Sequence, residues 1–254
     1  GVGPGSNSDV PTTDIKGVAR SGASCNPGAF EADGYVAPTT VSATVGSGKD
    51  YATITLAEAD IATIAGNADI TRVNKAVEIL IDAGTYAESV VVEGVTADLT
   101  RNLTFNAAAG SEHGGDEDSG VIVTSNSITF NIKDNFVIGK NLVSKSTGSY
   151  AFVLKGTGSK AVNCIASTTA AAGAMLITTG DGGSGTAANP VVVENCVANA
   201  GTSYSFYMFA PLTCRLVNCT AKGVGGNGAF RAHEGGNGLV AELVNCIDLT
   251  SDSA

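Results

Sequence analysis

Four phrases decide the fold: Ala161-Val162-Asn163-Cys164-Ile165-Ala166, Val193-Glu194-Asn195-Cys196-Val197-Ala198, Leu216-Val217-Asn218-Cys219-Thr220-Ala221 and Leu243-Val244-Asn245-Cys246-Ile247-Asp248. Each holds an Asn-Cys dipeptide inside a short, mostly apolar stretch. Gly139-Lys140-Asn141-Leu142-Val143-Ser144 is a degenerate fifth copy, with Leu142 in the place of Cys. The asparagines fall at 141, 163, 195, 218 and 245, in steps of 22, 32, 23 and 27 residues. A period of this length with variable insertions marks a solenoid.

A second apolar segment follows each phrase: Ala151-Phe152-Val153-Leu154, Ala174-Met175-Leu176-Ile177, Phe206-Tyr207-Met208-Phe209 and Ala229-Phe230-Arg231-Ala232. Helical repeats need runs of about 10 residues or more with 3.6 periodicity. These runs are shorter and rich in β-branched residues, so they predict strands stacked rung over rung, roughly 4.8 Å apart. Cys, Leu and their apolar neighbours fill the interior. Asn takes a tight bend, because it tolerates a left-handed backbone, and its side chain is placed to hydrogen-bond along the stack. Adjacent rungs bring the cysteines within bridging range, but in-register side chains point the same way and rarely meet disulfide torsions. Buried free thiols are expected for Cys164, Cys196, Cys219 and Cys246. Cys25 and Cys214 lie outside the phrase and have no assignment.

The bulk numbers agree with one elongated domain. The 254 residues are 43% hydrophobic but only 15% charged, with 33 glycines and no tryptophan, against about a quarter charged in an ordinary domain. A net charge of −10 and the lack of a basic stripe argue against nucleic acid as a partner. No run approaches the roughly 18 apolar residues of a membrane span. No cysteine pair has the C-x-x-C spacing of a zinc or redox site, and no cofactor is expected. The chain opens on Gly1 without a visible signal peptide, which predicts processing or a larger parent.

Upstream, Tyr51–Ile61 predicts a short capping helix. Thr55 and Glu58 have capping-box spacing, Ala57, Ile61 and Ile64 share a face, and Gly66-Asn67 ends it. Val77–Val92 predicts two strands around a Gly-Thr-Tyr turn. This order, from Tyr-Ala-Thr-Ile at 51–54 to Ala-Gly-Thr-Tyr-Ala-Glu at 83–88, resembles the entry into the pectin-lyase-like superfamily of right-handed parallel β-helices. The resemblance covers residues 49–93, and the Asn-Cys rungs extend it to about 249. It implies an all-β solenoid and leaves the activity open, since one fold hosts many activities.

Pro11-Thr12-Thr13-Asp14-Ile15-Lys16-Gly17-Val18-Ala19-Arg20 and Pro27-Gly28-Ala29-Phe30-Glu31 resemble a signature that ends β-helix modules in bacterial surface and phage-encoded proteins. Residues 1–34 are therefore expected to close a preceding module or to reach a neighbouring subunit. Residues 35–48 are expected as a linker, and 49–254 as the β-helix, possible incompleteness at its C-terminus included. The resemblance implies an extracellular place on a virion or cell surface, with identical chains or other surface proteins as partners.

Chemistry is sparse. The Asn-Thr-Asp, Asp-Asp and Gly-His-Gly phrases of polygalacturonases are missing. Gly84–Glu88 resembles the opening of pectin methylesterases, but their later Gln-Asp-Thr-Leu-type phrase is absent. The remaining catalytic candidates are Arg231, His233 and Glu234. Arg231 and His233 alternate and so share a strand face, and His is a ready general base. An exposed polar strand end is the competing reading. Glu112, Asp116 and Asp118, in an acidic glycine-rich loop, are candidate Ca²⁺ ligands without EF-hand spacing, against a solvated loop. Tyr204, Tyr207 and Phe209 are candidate binding residues: strand alternation keeps them from all facing inward with Phe206, leaving a sugar platform, a subunit contact or burial under a loop. Three functions follow: a non-enzymatic structural or adhesive module of a virion (phage tail fibre or capsid decoration) or bacterial surface, a tailspike-like polysaccharide depolymerase, and a glycan-binding adhesin.

Overall fold

The computed structural model describes residues 36–178, 185–209, 213–223, 229–233 and 238–249. The described chain opens with β1 (Thr39–Val45), then two helical turns, α1 (Ile54–Ala59) and α2 (Ile61–Ala65). Each following rung lays down three short strands. They are β2 (Lys75–Ile81), β3 (Gly84–Ala87) and β4 (Val90–Val92), then β5 (Leu103–Ala107), β6 (Val121–Ser125) and β7 (Phe130–Ile132). The third rung holds β8 (Val137–Lys140), β9 (Leu142–Ser146) and β10 (Phe152–Leu154). The fourth holds β11 (Lys160–Val162), β12 (Ile165–Thr168) and β13 (Met175–Ile177). The fifth has β14 (Val191–Glu194), β15 (Val197–Ala200) and β16 (Phe206–Phe209), and the sixth β17 (Thr213–Val217), β18 (Thr220–Gly223) and β19 (Phe230–His233). β20 (Val240–Val244) and β21 (Ile247–Asp248) begin a seventh.

First strands pair only with first strands, second with second and third with third, so three parallel sheets of eight, seven and six strands wrap one core. This is a parallel β-helix. The repeat phrase straddles the corner between first and second sheets. Asn141, Asn163, Asn195, Asn218 and Asn245 all occupy that corner at φ between 51° and 57°, where most residues are strained and asparagine is not. Their side chains bond along the axis: Asn163 Nδ2 donates to Asn141 Oδ1 at 3.3 Å, Asn218 to Asn195 at 3.1 Å and Asn245 to Asn218 at 3.3 Å. Asn141 continues to Asn106, and Asn106 to Glu78, at 3.0 and 3.1 Å.

Behind that corner, Leu142, Cys164, Cys196 and Cys219 form one buried column. The cysteines of this column, Cys246 and Cys214 are free thiols. The S–H groups of Cys164, Cys196, Cys219 and Cys246 reach carbonyls of their own and the preceding rung, as Cys219 does to Val217 and Val193, both at 3.4 Å. Phe130 stacks on Phe152 and Phe206 on Phe230 at 5.2 and 5.1 Å. Hydroxyls on the second strands hold the turn that leads to the third sheet, with Ser144 Oγ donating to the Ala151 carbonyl at 2.6 Å and Thr168 Oγ1 to that of Ser149 at 2.9 Å.

Several sequence expectations need correction. Residues 35–48 do not form a linker throughout, because Thr39–Val45 is β1, aligned residue for residue on β2. Ala43 and Val45 are buried while alternate Thr and Ser residues face outward, which gives the stretch its polar look. Gly84-Thr85-Tyr86-Ala87 is itself a strand, β3, so Val77–Val92 holds three strands rather than two. The helix is broken at Asp60, and its N-cap is Thr53, whose side chain accepts from Leu56 N. Thr55 instead turns to Glu88, and Glu58 accepts from Glu93 N at 3.2 Å. Gly66 ends the second turn at φ 85° as expected. Ile54, Ala57, Ile61 and Ala65 are buried under the first rungs, which covers that end of the core. In the seventh rung, Leu243 and Ile247 stand exposed, whereas Leu216 one rung earlier is buried. The expected module-ending segment 1–34 lies outside the described residues.

Candidate functional site

The outward face of the third sheet carries one column from rung to rung: Val91, Asn131, Val153, Leu176, Tyr207 and Arg231. Strand alternation sends their neighbours, such as Phe152, Phe206 and Met208, into the core. Asn131 is buried on this face, and its Oδ1 has no hydrogen-bond partner among the described residues.

At the fifth and sixth rungs the column becomes an aromatic and cationic patch. Register sets Tyr207 beside Arg231 and Phe209 beside His233. The Arg231 guanidinium lies over the Tyr204 ring, Cζ 4.4 Å from its centroid, and 5.7 Å from that of Tyr207, inside cation–π range. Tyr204 and Tyr207 stack at 5.4 Å. Phe209 and His233 stack at 5.3 Å with planes 10° apart. All five are half-buried. The binding candidates and two of the three catalytic candidates therefore form one surface, although the sequence showed them as separate sets. Glu234 lies outside the described residues. No described carboxylate joins the patch: Glu194 and Glu242 sit on the first sheet and Asp248 on the second.

A concave region lies on the first two rungs, away from the patch. A cavity of about 400 Å³ is lined by Glu93–Ala97 and Lys133–Asn135. Burial pushes the Glu58 carboxyl up, the Glu93 N–H pulls it down, and the negative Asp134 and Glu93 add to the rise. Burial likewise raises Asp134 against the bonds it accepts from Val95 and Gly94 N–H. These carboxylates fasten the chain after β4: Asp134 Oδ2 accepts from Val95 N at 2.6 Å, and Glu93 pairs with Lys133 at 2.7 Å. They lie three to five rungs from the patch, roughly 14–24 Å at the usual strand spacing, so the two regions cannot act on one bond.

The acidic loop has local employment. Glu112 accepts from Gly110 N at 2.9 Å, Asp116 from Asp118 N at 3.0 Å, and Asp118 pairs with Lys145 at 2.5 Å. Among the described residues no three His, Cys, Asp or Glu side chains gather as a metal site. His113 Nδ1 accepts from Gly115 N at 2.9 Å, so Nε2 carries the proton and donates to the Asn163 carbonyl at 2.6 Å. The loop thereby crosses two rungs of the second sheet, whose outward Val143 and Ile165 are buried.

No family model matches the chain, and no curated protein matches it. Among solved structures, a pectin methylesterase from Aspergillus niger superposes with a TM-score of 0.55 at 17% identity, over 84% of this chain and 67% of the esterase chain. At that identity the likeness is one of fold, a parallel β-helix.

Proposed function

We propose that this chain is a non-enzymatic, glycan-binding β-helix module, displayed outside the cell on a virion, as a phage tail fibre or capsid decoration, or on a bacterial surface. The observation that carries the reading is the Tyr204–Tyr207–Arg231 stack with Phe209 and His233 beside it. Flat aromatic faces pack against the C–H face of a sugar ring, while N–H and O–H groups at the rim take its hydroxyls. Glycan adhesion asks for no more than this. Hydrolysis usually asks for two carboxyl groups about 5–10 Å apart, and no described carboxylate stands in the patch. The resemblance of residues 11–31 to a module end supports the surface setting and a repeated or oligomeric assembly.

The second reading is a polysaccharide depolymerase. Fold likeness to a pectin-acting esterase favours it, as does His233 beside Arg231. One experiment separates the two: incubation with bacterial and algal polysaccharides, with bound polymer and newly formed reducing or unsaturated ends both measured. Binding without new ends is expected. New ends that vanish in His233→Ala would establish the depolymerase. Neither binding nor new ends would refute both readings.

A further inference from the structure

The glycan-binding reading leaves the chemistry of the glycan open, and Arg231 narrows it. Four arginines lie among the described residues. Arg72 pairs with Asp69 at 2.9 Å and Arg215 with Glu242 at 3.1 Å. Arg101 binds Asp98 through two of its nitrogens. Arg231 has no carboxylate partner among the described residues; its guanidinium lies against the rings of Tyr204 and Tyr207. This is notable in a chain with 24 acidic residues against 14 basic ones, where a guanidinium readily finds an acid. Half-burial strengthens the point, because a partly desolvated cation gains from an anion more than an exposed one does.

We infer that Arg231 is the anion-reading residue of the patch, and that the ligand is a saccharide bearing an oxyanion, either a uronate carboxylate or a sulfate ester. Contact with the Tyr204 ring, Cζ 4.4 Å from its centroid, holds the guanidinium in place. A planar, pre-oriented fork loses little freedom on binding and matches the paired oxygens of either group. The aromatic faces of Tyr207 and Phe209 take the sugar ring, and the neighbouring rung supplies the charge. Recognition is local. The −10 net charge repels polyanions at long range, so a polyanion that binds must be held by specific contacts rather than by a general field.

This inference rests on the glycan-binding reading, and its test keeps the two apart. Hexamers of a uronic acid, of a sulfated sugar and of a neutral sugar are titrated calorimetrically into the full chain and into Arg231→Gln, Arg231→Lys and Tyr207→Ala. The expected result is that at least one anionic hexamer binds roughly ten- to a hundredfold tighter than the neutral one, the range of a charged hydrogen-bonded contact. Arg231→Gln erases that difference, while Arg231→Lys keeps part of it because charge survives and the fork does not. Tyr207→Ala weakens every hexamer. The uronate and sulfate arms tell which oxyanion is read. Neutral and anionic hexamers bound equally well would overturn the inference and leave glycan binding standing. No binding by any hexamer would remove both. Thermal melts of each variant confirm folding, and Arg231→Lys carries the comparison if Arg231→Gln fails to fold.

Discussion

The Glu88 carboxylate caps the first turn of α1 and takes the Ile54 N–H: Oε1 accepts from Ile54 N and Oε2 from Thr55 N, both at 2.9 Å, while Thr55 Oγ1 donates to Oε2 at 2.6 Å. A residue just past the end of β3 thus satisfies donors that the first helical turn leaves open. Glu88→Ala should destabilise the fold by about 1–3 kcal/mol, and Glu88→Gln by less, since one acceptor remains. Denaturant melts with amide exchange at Ile54 and Thr55 would show it. Unchanged protection there would mean the clamp contributes nothing.

The asparagine corner predicts a graded series at position 218. Asn218→Gly keeps the φ of 53° without strain but loses the side-chain bonds. Asn218→Ala loses both, adding about 1–2 kcal/mol for a left-handed backbone. Urea midpoints should fall in the order wild type, Gly, Ala. A Gly variant less stable than Ala would contradict the assignment of the corner.

Thiol chemistry should sort by rung. Burial pushes the Cys214 and Cys219 thiols up to about 12 and holds Cys196 well above its ordinary value, and the thiolate is the reactive form. Native protein treated with iodoacetamide at pH 8 should leave Cys196, Cys214 and Cys219 unmodified, with half-buried Cys246 reacting first among the four. Unfolding should expose all of them. Peptide mapping by mass reads the pattern directly.

Tyr51 predicts a basic-limb effect. Its hydroxyl donates to Asp60 Oδ2 at 2.5 Å, and that bond, with burial and the nearby charges of Asp60 and Asp50, raises the phenol to about 12. The folded value exceeds the unfolded value near 10, so the stabilisation is complete below pH 10 and disappears between 10 and 12. Tyr51→Phe should lower the melting temperature below pH 10 and bring the two curves together above 12. Its phenolate absorbance should lack the latest-titrating step. A constant gap between the melting curves up to pH 12 would contradict the linkage.

What could be read from the sequence was whatever each rung repeats. The Asn-Cys phrase recurs because each first corner imposes the same backbone and the same column, which is why even the degenerate copy at Asn141 and Leu142 folds like the rest. β1 was hidden because Thr39-Thr40-Val41-Ser42-Ala43-Thr44-Val45 shows only small or apolar residues on its buried side and polar ones outside. The patch was half visible. Alternation kept Tyr204, Tyr207 and Phe209 from all facing inward with Phe206, but the meeting of Tyr207 and Phe209 with Arg231 and His233 depends on pairing across rungs. The equal separation of 24 residues in both pairs was the available signal. The His113–Asn163 contact, 50 residues apart, and the capping of α1 by Glu88 follow no local pattern at all.

The corner between β5 and β6 holds residues 108–120, whereas Asn163 and Cys164 alone join β11 to β12. Yet β6 meets β9 in unbroken register from Val121 opposite Leu142 to Ser125 opposite Ser146. Added length at a corner leaves the pitch of the coil unaltered. The β-helix can therefore gain or exchange whole loops without a change in its frame, so a lineage can redecorate the surface while inheriting the rod intact.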